Sequence, residues 1–313
     1  MAFSSSKPFY CFALVISLVL LVATNPSMAT TRKLSALVEQ DPLVLKYHKG
    51  ELLKGNLTVN LIWYGKFTPT QRSILIDFIQ SLSPSRSLIS PSVSSWWKTT
   101  EKYKTGSSKI VLGKQIVDEK YRFGKSLKNV HIVYLASQLK MHNSINVVFT
   151  AKDVTVEGFC MSKCGSHGSA SIGKTKDSKK FAYIWVGNPD TQCAGQCAWP
   201  FHQPIYGPQS PPLVSPNADV GVDGMVINLA TVLAGTVTNP FKNGFFPGPA
   251  IAPLEAVSAC TGIFGKGAYP GYAGDVLTDK VTGASFNARG INGRKYLLPA
   301  MWDPKTSTCL TLV

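Results

Sequence analysis

Acidic residues are scarce in this chain: 17 Asp and Glu stand against 32 Lys and Arg in 313 residues, a formal charge of +15. Charged residues make up only 16% of the total, below the roughly 25% usual for soluble domains, while 44% are hydrophobic. The positive balance therefore reflects missing acids more than abundant bases. That composition excludes a charge-rich disordered tail. There is no dense Lys/Arg block either, which argues against a nucleic-acid partner. No segment recurs at a fixed period, so a solenoid or propeller is excluded. Catalytic signatures are missing as well. None of the five histidines (48, 131, 142, 167 and 202) lies in H-E-x-x-H or H-x-x-E-H, and no serine occupies a G-x-S-x-G elbow.

What is present begins with an apolar run. Lys7 precedes the uninterrupted stretch Phe9 to Ala23, and Pro26 leads into Ser27-Met28-Ala29, with small residues at the first and third of these positions. This is the layout of a secretory signal peptide over residues 1–29, with the mature chain starting at Thr30. The run covers 15 residues, short of the roughly 20 that cross a bilayer, and no later stretch reads as long enough to span one. Cleavage removes Cys11 and leaves six cysteines: Cys160, Cys164, Cys193, Cys197, Cys260 and Cys309. In a secreted chain these read as disulfides, because the extracellular space does not keep thiols reduced. They form two C-x3-C pairs and two distant singles. A four-cysteine zinc site is the weaker reading, since its knuckles show C-x2-C. Connectivity stays open among all pairings that six cysteines allow. The sole N-glycosylation sequon, Asn56-Leu57-Thr58, suits the same secretory route.

Residues 30–45 read as a flexible leader, and 46–313 as one α+β domain with long disulfide-tied Gly/Pro-rich loops. Asn56 to Trp63 is rich in β-branched and aromatic residues and predicts a strand; Ile145 to Thr150 and Phe181 to Val186 predict two more. Thr68 followed by Pro69 predicts the capped start of a helix reaching Leu82. Further helices are predicted from Ser90-Pro91 toward Tyr103 and within 126–139. Lys174, Lys176, Lys179 and Lys180 mark a solvated loop. Val222, Val226, Leu229, Leu233 and Val237 recur at helical spacing, which predicts a helix over Asp219–Thr238 stopped by Asn239-Pro240.

Several ordered blocks carry a family resemblance. Gly158-Phe159-Cys160-Met161 runs through Cys164 to His167-Gly168. Tyr183-Ile184-Trp185-Val186-Gly187-Asn188 follows, then Cys197-Ala198-Trp199-Pro200-Phe201-His202. Asp223-Gly224-Met225-Val226-Ile227-Asn228, Gly267-Ala268-Tyr269-Pro270-Gly271-Tyr272 and Asn292-Gly293-Arg294-Lys295-Tyr296-Leu297-Leu298-Pro299 complete the set. Together with Asn60 to Phe67 and Trp96 to Lys102 upstream, the chain resembles the EXORDIUM-like, or phosphate-induced, proteins of plants over nearly its whole mature length. The resemblance implies secretion to the apoplast and cell wall and a part in cell expansion and growth signalling. It implies no catalytic mechanism.

The residues themselves suggest binding more than catalysis. His131, in an apolar stretch, reads as a hydrogen-bonded core residue. His167 and His202 each follow a C-x3-C pair, so disulfides can bring them into one loop site; the plainer reading has them bonding loop backbone. Asp219 and Asp223 share one face of a helix start and suit its dipole, and two carboxylates are too few for calcium. The stretch Val226 to Pro240, followed by Glu255 and Cys260, is similar to a zinc-peptidase pattern in which the metal histidine falls on Thr231 and the catalytic glutamate on Val232. That similarity implies a zincin-like scaffold whose catalytic pair is missing, and hence no metal and no cofactor. Trp63, Trp96, Trp97, Trp185, Trp199 and Trp302 read as core, with sugar-stacking platforms as the alternative.

Charge is uneven along the chain. Residues 30–150 carry 18 Lys and Arg against 7 acids (+11), and residues 151–313 carry 13 against 10 (+3). The first segment is expected to meet an acidic wall polysaccharide, leaving the other for a signalling ligand. The resulting reading is a secreted, non-catalytic growth protein; a secreted wall-acting hydrolase, zinc-dependent or not, is the alternative.

Overall fold

Strand β1, Gly55–Tyr64, contains the expected Asn56 to Trp63, and its last six residues are all buried. It shows no in-out alternation there because both faces are covered, as the strands of parallel sheets are. The computed structural model describes residues 43–313 apart from 84–88, 105–107, 140–143, 172–179, 208–209 and 250–251. The expected signal peptide, the leader up to residue 42, and Lys174, Lys176 and Lys179 lie outside the described residues. Leu45, at the end of the expected leader, is buried in the core.

Around β1 the sheet grows in both directions. β1 pairs in parallel with β2 (Ser108–Asp118) and with β3 (Ser144–Thr150). Beyond β3 come β4 (Gly165–Ser171) and β5 (Lys180–Gly187), of which β5 is parallel to β3 and β4 is antiparallel to β5. The order is β2-β1-β3-β5-β4, so β2 and β4 are the two edges. Short two-stranded ribbons make up most of the C-terminal part. The mixed content agrees with an α+β class.

Helix α1 (Pro69–Ser81) starts where Thr68 and Pro69 place it: Thr68 Oγ1 accepts from Gln71 N at 3.1 Å and Gln71 Oε1 accepts from Thr68 N at 3.0 Å, a capping box. Helix α2 (Val93–Trp97) begins after Ser92, its cap, rather than at Ser90-Pro91, and continues as a 3-10 turn to Tyr103. Helix α3 (Asn129–Ala136) sits inside the predicted 126–139, behind a two-residue strand, Ser126–Leu127.

Helix α4 (Val220–Thr238) packs against β4, β5 and α1. Asp219 caps it, accepting from Val222 N at 2.9 Å, and all five periodic apolar residues are buried. One expectation needs correcting here. By length and composition α4 could cross a membrane, but 78% of its apolar window is buried inside the protein, as in a core helix. Its apolarity therefore reports cover on most of its surface, with Asn228, Thr231 and Val232 only partly covered.

Disulfides close the described cysteines into Cys160–Cys193, Cys164–Cys197 and Cys260–Cys309. The two C-x3-C pairs are joined rung to rung. They fasten the loop before β4 to the helical turn Ala194–Cys197 after β5. A continuous core runs through the sheet, α1 and α4, and a smaller one of Phe201, Ile227, Phe264, Ala273 and Leu297 lies near the C-terminal ribbons. Five of the six tryptophans are buried, which agrees with the core reading; Trp199 is the exception.

Candidate functional site

Trp199 follows the disulfide-fastened turn Ala194–Cys197 and is half-buried, its ring centroid 5.7 Å from that of Phe264. It lines a cleft of about 630 Å³ together with Tyr206 and Tyr269, which are 87% and 63% exposed. Tyr269 is held by a tight turn: Tyr269 N and Tyr272 N each donate to the other's carbonyl, at 3.1 and 2.8 Å. Between them stand Pro270 and Gly271, and Gly271 adopts φ of 91°. Proline then glycine at positive φ is the signature of a type II turn, which fixes where the Tyr269 ring begins. Gln196, Thr261 and Ile263 add to the lining, and no charged side chain does among the described residues. The Gln196 side-chain amide is anchored, bridging Cys160 O and Ser162 N at 2.7 Å each. Aromatic faces with a few polar neighbours suit a ligand with apolar C–H faces and a hydroxylated rim. A neutral sugar has that character.

A second cleft, of about 540 Å³, contains the other chemistry. His167 Nε2 lies 2.7 Å from Glu255 Oε2, and Glu255 Oε1 accepts from Asn239 Nδ2 at 2.7 Å. Nε2 donates to that carboxylate, and Nδ1 is buried with no hydrogen-bond partner among the described residues. The pair lies against α4 at Gly235, where a Cβ would come within 2.3 Å of Glu255 Oε2. Glycine is required for that approach. Lys163 and Lys242 also line this cleft, as do Asn228, Thr231 and Val232 from α4.

His167 and His202, which the disulfides could have brought into one loop site, do not meet, and Asp219 and Asp223 lie apart from both. His202 is exposed, with Nδ1 2.9 Å from Gln203 O, and lines neither cleft. Asp219 and Asp223 stand at the opposite end of α4 from the His167–Glu255 pair. Asp223 and Gly235 are separated by about 18 Å along the axis at 1.5 Å per residue. Asp219 caps the helix and accepts from Gln71 Nε2 at 2.9 Å. Asp223 accepts from Asn217 N and Nδ2 at 2.9 and 2.6 Å. Burial pushes the Asp223 carboxyl up to about 7 against the pull of those Asn217 donors, and Asp219 adds repulsion. Both carboxylates thus have structural partners. His131 makes the expected hydrogen bond, Nδ1 accepting from Lys128 N at 3.2 Å, but it is half-buried at the start of α3, stacked 4.8 Å from Phe123, and not in the core.

The zincin-like scaffold gains no support. Thr231 spends its hydroxyl on Ile227 O at 2.9 Å, within its own helix, and Val232 offers only methyl groups, 3.6 Å from where a Gly165 Cβ would lie. One imidazole and one carboxylate converge and already bond each other. Among the described residues no group of three His, Cys, Asp or Glu is placed to hold a metal ion. Asn56, the sequon residue, is exposed at the start of β1.

Sequence reasoning undervalued Tyr206 and Tyr269 as site residues. The available signal was aromatic residues beside Pro-Gly turns in a coil, where nothing apolar remains to bury them. Nothing in the sequence marks Lys163, Lys242 and Asn239 as site residues, since only the fold brings them to His167 and Glu255.

The family model described as the phosphate-induced protein 1 conserved region matches residues 45–312. The chain is 67% identical to protein EXORDIUM-like 2 of Arabidopsis thaliana over 283 residues, 89% of this chain and 93% of that one. It is 61% identical to protein PHOSPHATE-INDUCED 1 of Nicotiana tabacum over 310 residues (96% and 98%). It is 58% identical to protein EXORDIUM of Arabidopsis thaliana over 314 residues (96% and 100%). No solved structure matches the chain. A family model spanning the whole described fold, with relatives this similar along their full length, shows that the chain belongs to the EXORDIUM, or phosphate-induced protein 1, family.

Proposed function

We propose that this chain is a secreted protein of the plant apoplast and cell wall that binds a neutral wall oligosaccharide without transforming it, in the control of cell expansion. The cleft of Trp199, Tyr206 and Tyr269, with no charged residue in its lining among the described residues, carries the reading. Three disulfides and the amino-terminal apolar run support secretion, since such bonds persist outside the reducing cytosol. Fluorescence titration with neutral oligosaccharides tests it. Saturable quenching that Trp199→Ala removes is expected, and a flat titration would end the proposal.

A hydrolase is the second reading, carried by the His167–Glu255 contact. Release of reducing ends from wall glycans, abolished in His167→Gln, would put it first.

Wall retention is proposed to come from the basic segment. Lys46, Lys49, Lys54, Lys66, Lys109 and Lys114 are exposed there, while two of its seven acids, Asp77 and Asp118, are engaged by Arg294 and Arg122. The excess charge is therefore available to an acidic polymer such as polygalacturonate.

A further inference from the structure

We propose that the open edge of β4 takes an extended acidic peptide as an added strand, at a site separate from the aromatic cleft. The ladder shows which backbone groups are available. Gly187 N donates to Cys164 O at 3.3 Å, and the register pairs Gly165 with Val186, so Cys164 stands opposite Gly187 in a hydrogen-bonded pair. In an antiparallel pair such positions alternate. Ser166, Gly168 and Ala170 therefore face β5, while Gly165, His167, Ser169 and Ser171 turn their N–H and C=O groups to the open side. An edge of this kind is a template for a further strand.

The two edges of the sheet are built differently. β2 presents exposed Lys109 and Lys114, the usual protection of an edge against pairing. β4 reads Gly-Ser-His-Gly-Ser-Ala-Ser, with no Lys, Arg, Asp, Glu or Pro. Apart from His167, which is held by Glu255, its side chains are short and leave the approach open.

The 540 Å³ cleft begins at this strand, with Gly165, Ser166 and His167 in its lining. Its charges set the class of peptide. Lys163 and Lys242 line the cleft and have no carboxylate partner among the described residues. Glu255, the one acid in the lining, is already engaged by His167 and Asn239. Lys163 Nζ also lies 5.6 Å from the Trp185 ring centroid, a contact that leaves its charge unneutralised. The charge without a carboxylate is positive, which favours Asp or Glu on an incoming strand.

The full secreted protein, immobilised and exposed to a synthetic library of random octapeptides, tests this. The retained pool is expected to be enriched in Asp and Glu and in β-branched residues at alternate positions. It should slow amide exchange at Gly165, His167, Ser169 and Ser171. Ser169→Pro removes one outward N–H and none from the ladder to β5, and should lower retention at least tenfold while Trp199 quenching is unchanged. Lys163→Glu with Lys242→Glu should turn the enrichment toward basic peptides, a readout independent of how Ser169→Pro folds. A pool without charge bias, or one held equally by both variants, would overturn the proposal. So would protection of the β4 amides by oligogalacturonate but by no peptide, which would assign the edge to a polysaccharide.

Discussion

Asp223 shows how one side chain can set the pH response of the fold. Its carboxyl is buried and raised to about 7, well above its ordinary value of 3.8. In between, the folded chain holds a proton that the unfolded chain has released. The stabilisation is fully present below about pH 4, falls as the pH rises, and is gone once the pH passes through about 7. It amounts to on the order of 4 kcal/mol across that window. Melting temperatures should therefore drop between pH 5 and pH 8, and Asp223→Asn should flatten that dependence. An unchanged slope in the variant would remove Asp223 from the account. Gly235 offers a second residue-scale test. A methyl group there meets Glu255 Oε2 at 2.3 Å, so Gly235→Ala must push the carboxylate off the helix. A loss of about 1–3 kcal/mol is expected, as for overpacking elsewhere, against the small gain alanine gives in an open helix. Denaturant midpoints measure it.

At the scale of elements, periodicity and caps made much of the structure legible. Helices α1 and α4 appear where Thr68, Pro69 and the spacing of Val222 through Val237 place them. Strands β1, β3 and β5 follow from apolar runs that a doubly covered sheet demands. The edges were not legible, for opposite reasons. β2 mixes lysines with apolar residues because one side meets water, and β4 is almost entirely Gly, Ser and Ala. Neither has an intrinsic preference strong enough to announce a strand; each forms because its neighbour supplies a ladder. For β4 the Cys160–Cys193 and Cys164–Cys197 bonds also hold its entrance next to the end of β5. The site was less legible still, since His167, Asn239 and Glu255 meet only after folding. The Cys260–Cys309 bond is the long-range tie of the C-terminal ribbons, its ends separated by 49 positions in sequence. Replacing both cysteines by alanine should cost about 4 kcal/mol by loop-closure arithmetic. Thermal unfolding would show it, and an unchanged transition would mean the ribbons are held by packing alone.

For the whole molecule, charge and recognition lie in different places. The +11 of residues 30–150 falls largely on exposed lysines around β1, β2 and the loops between them. The aromatic cleft is built from described residues within 195–271, none of them charged. Retention on polygalacturonate should therefore weaken steeply between low and physiological salt, as exposed charges are screened within about 8–10 Å. Binding of a neutral sugar should not respond to salt. Retention that ignores salt would contradict the division.

The central claim rests on Trp199, the only one of the six tryptophans that is not buried. Acrylamide quenching of intrinsic fluorescence therefore reads this side chain above the rest. Titrating the secreted protein with neutral wall oligosaccharides should shield Trp199 from acrylamide in a saturable way. Tyr269→Ala should weaken that shielding about tenfold, the loss of about 1.4 kcal/mol that one aromatic contact supplies. Quenching that stays the same at every oligosaccharide concentration would contradict a sugar-binding cleft.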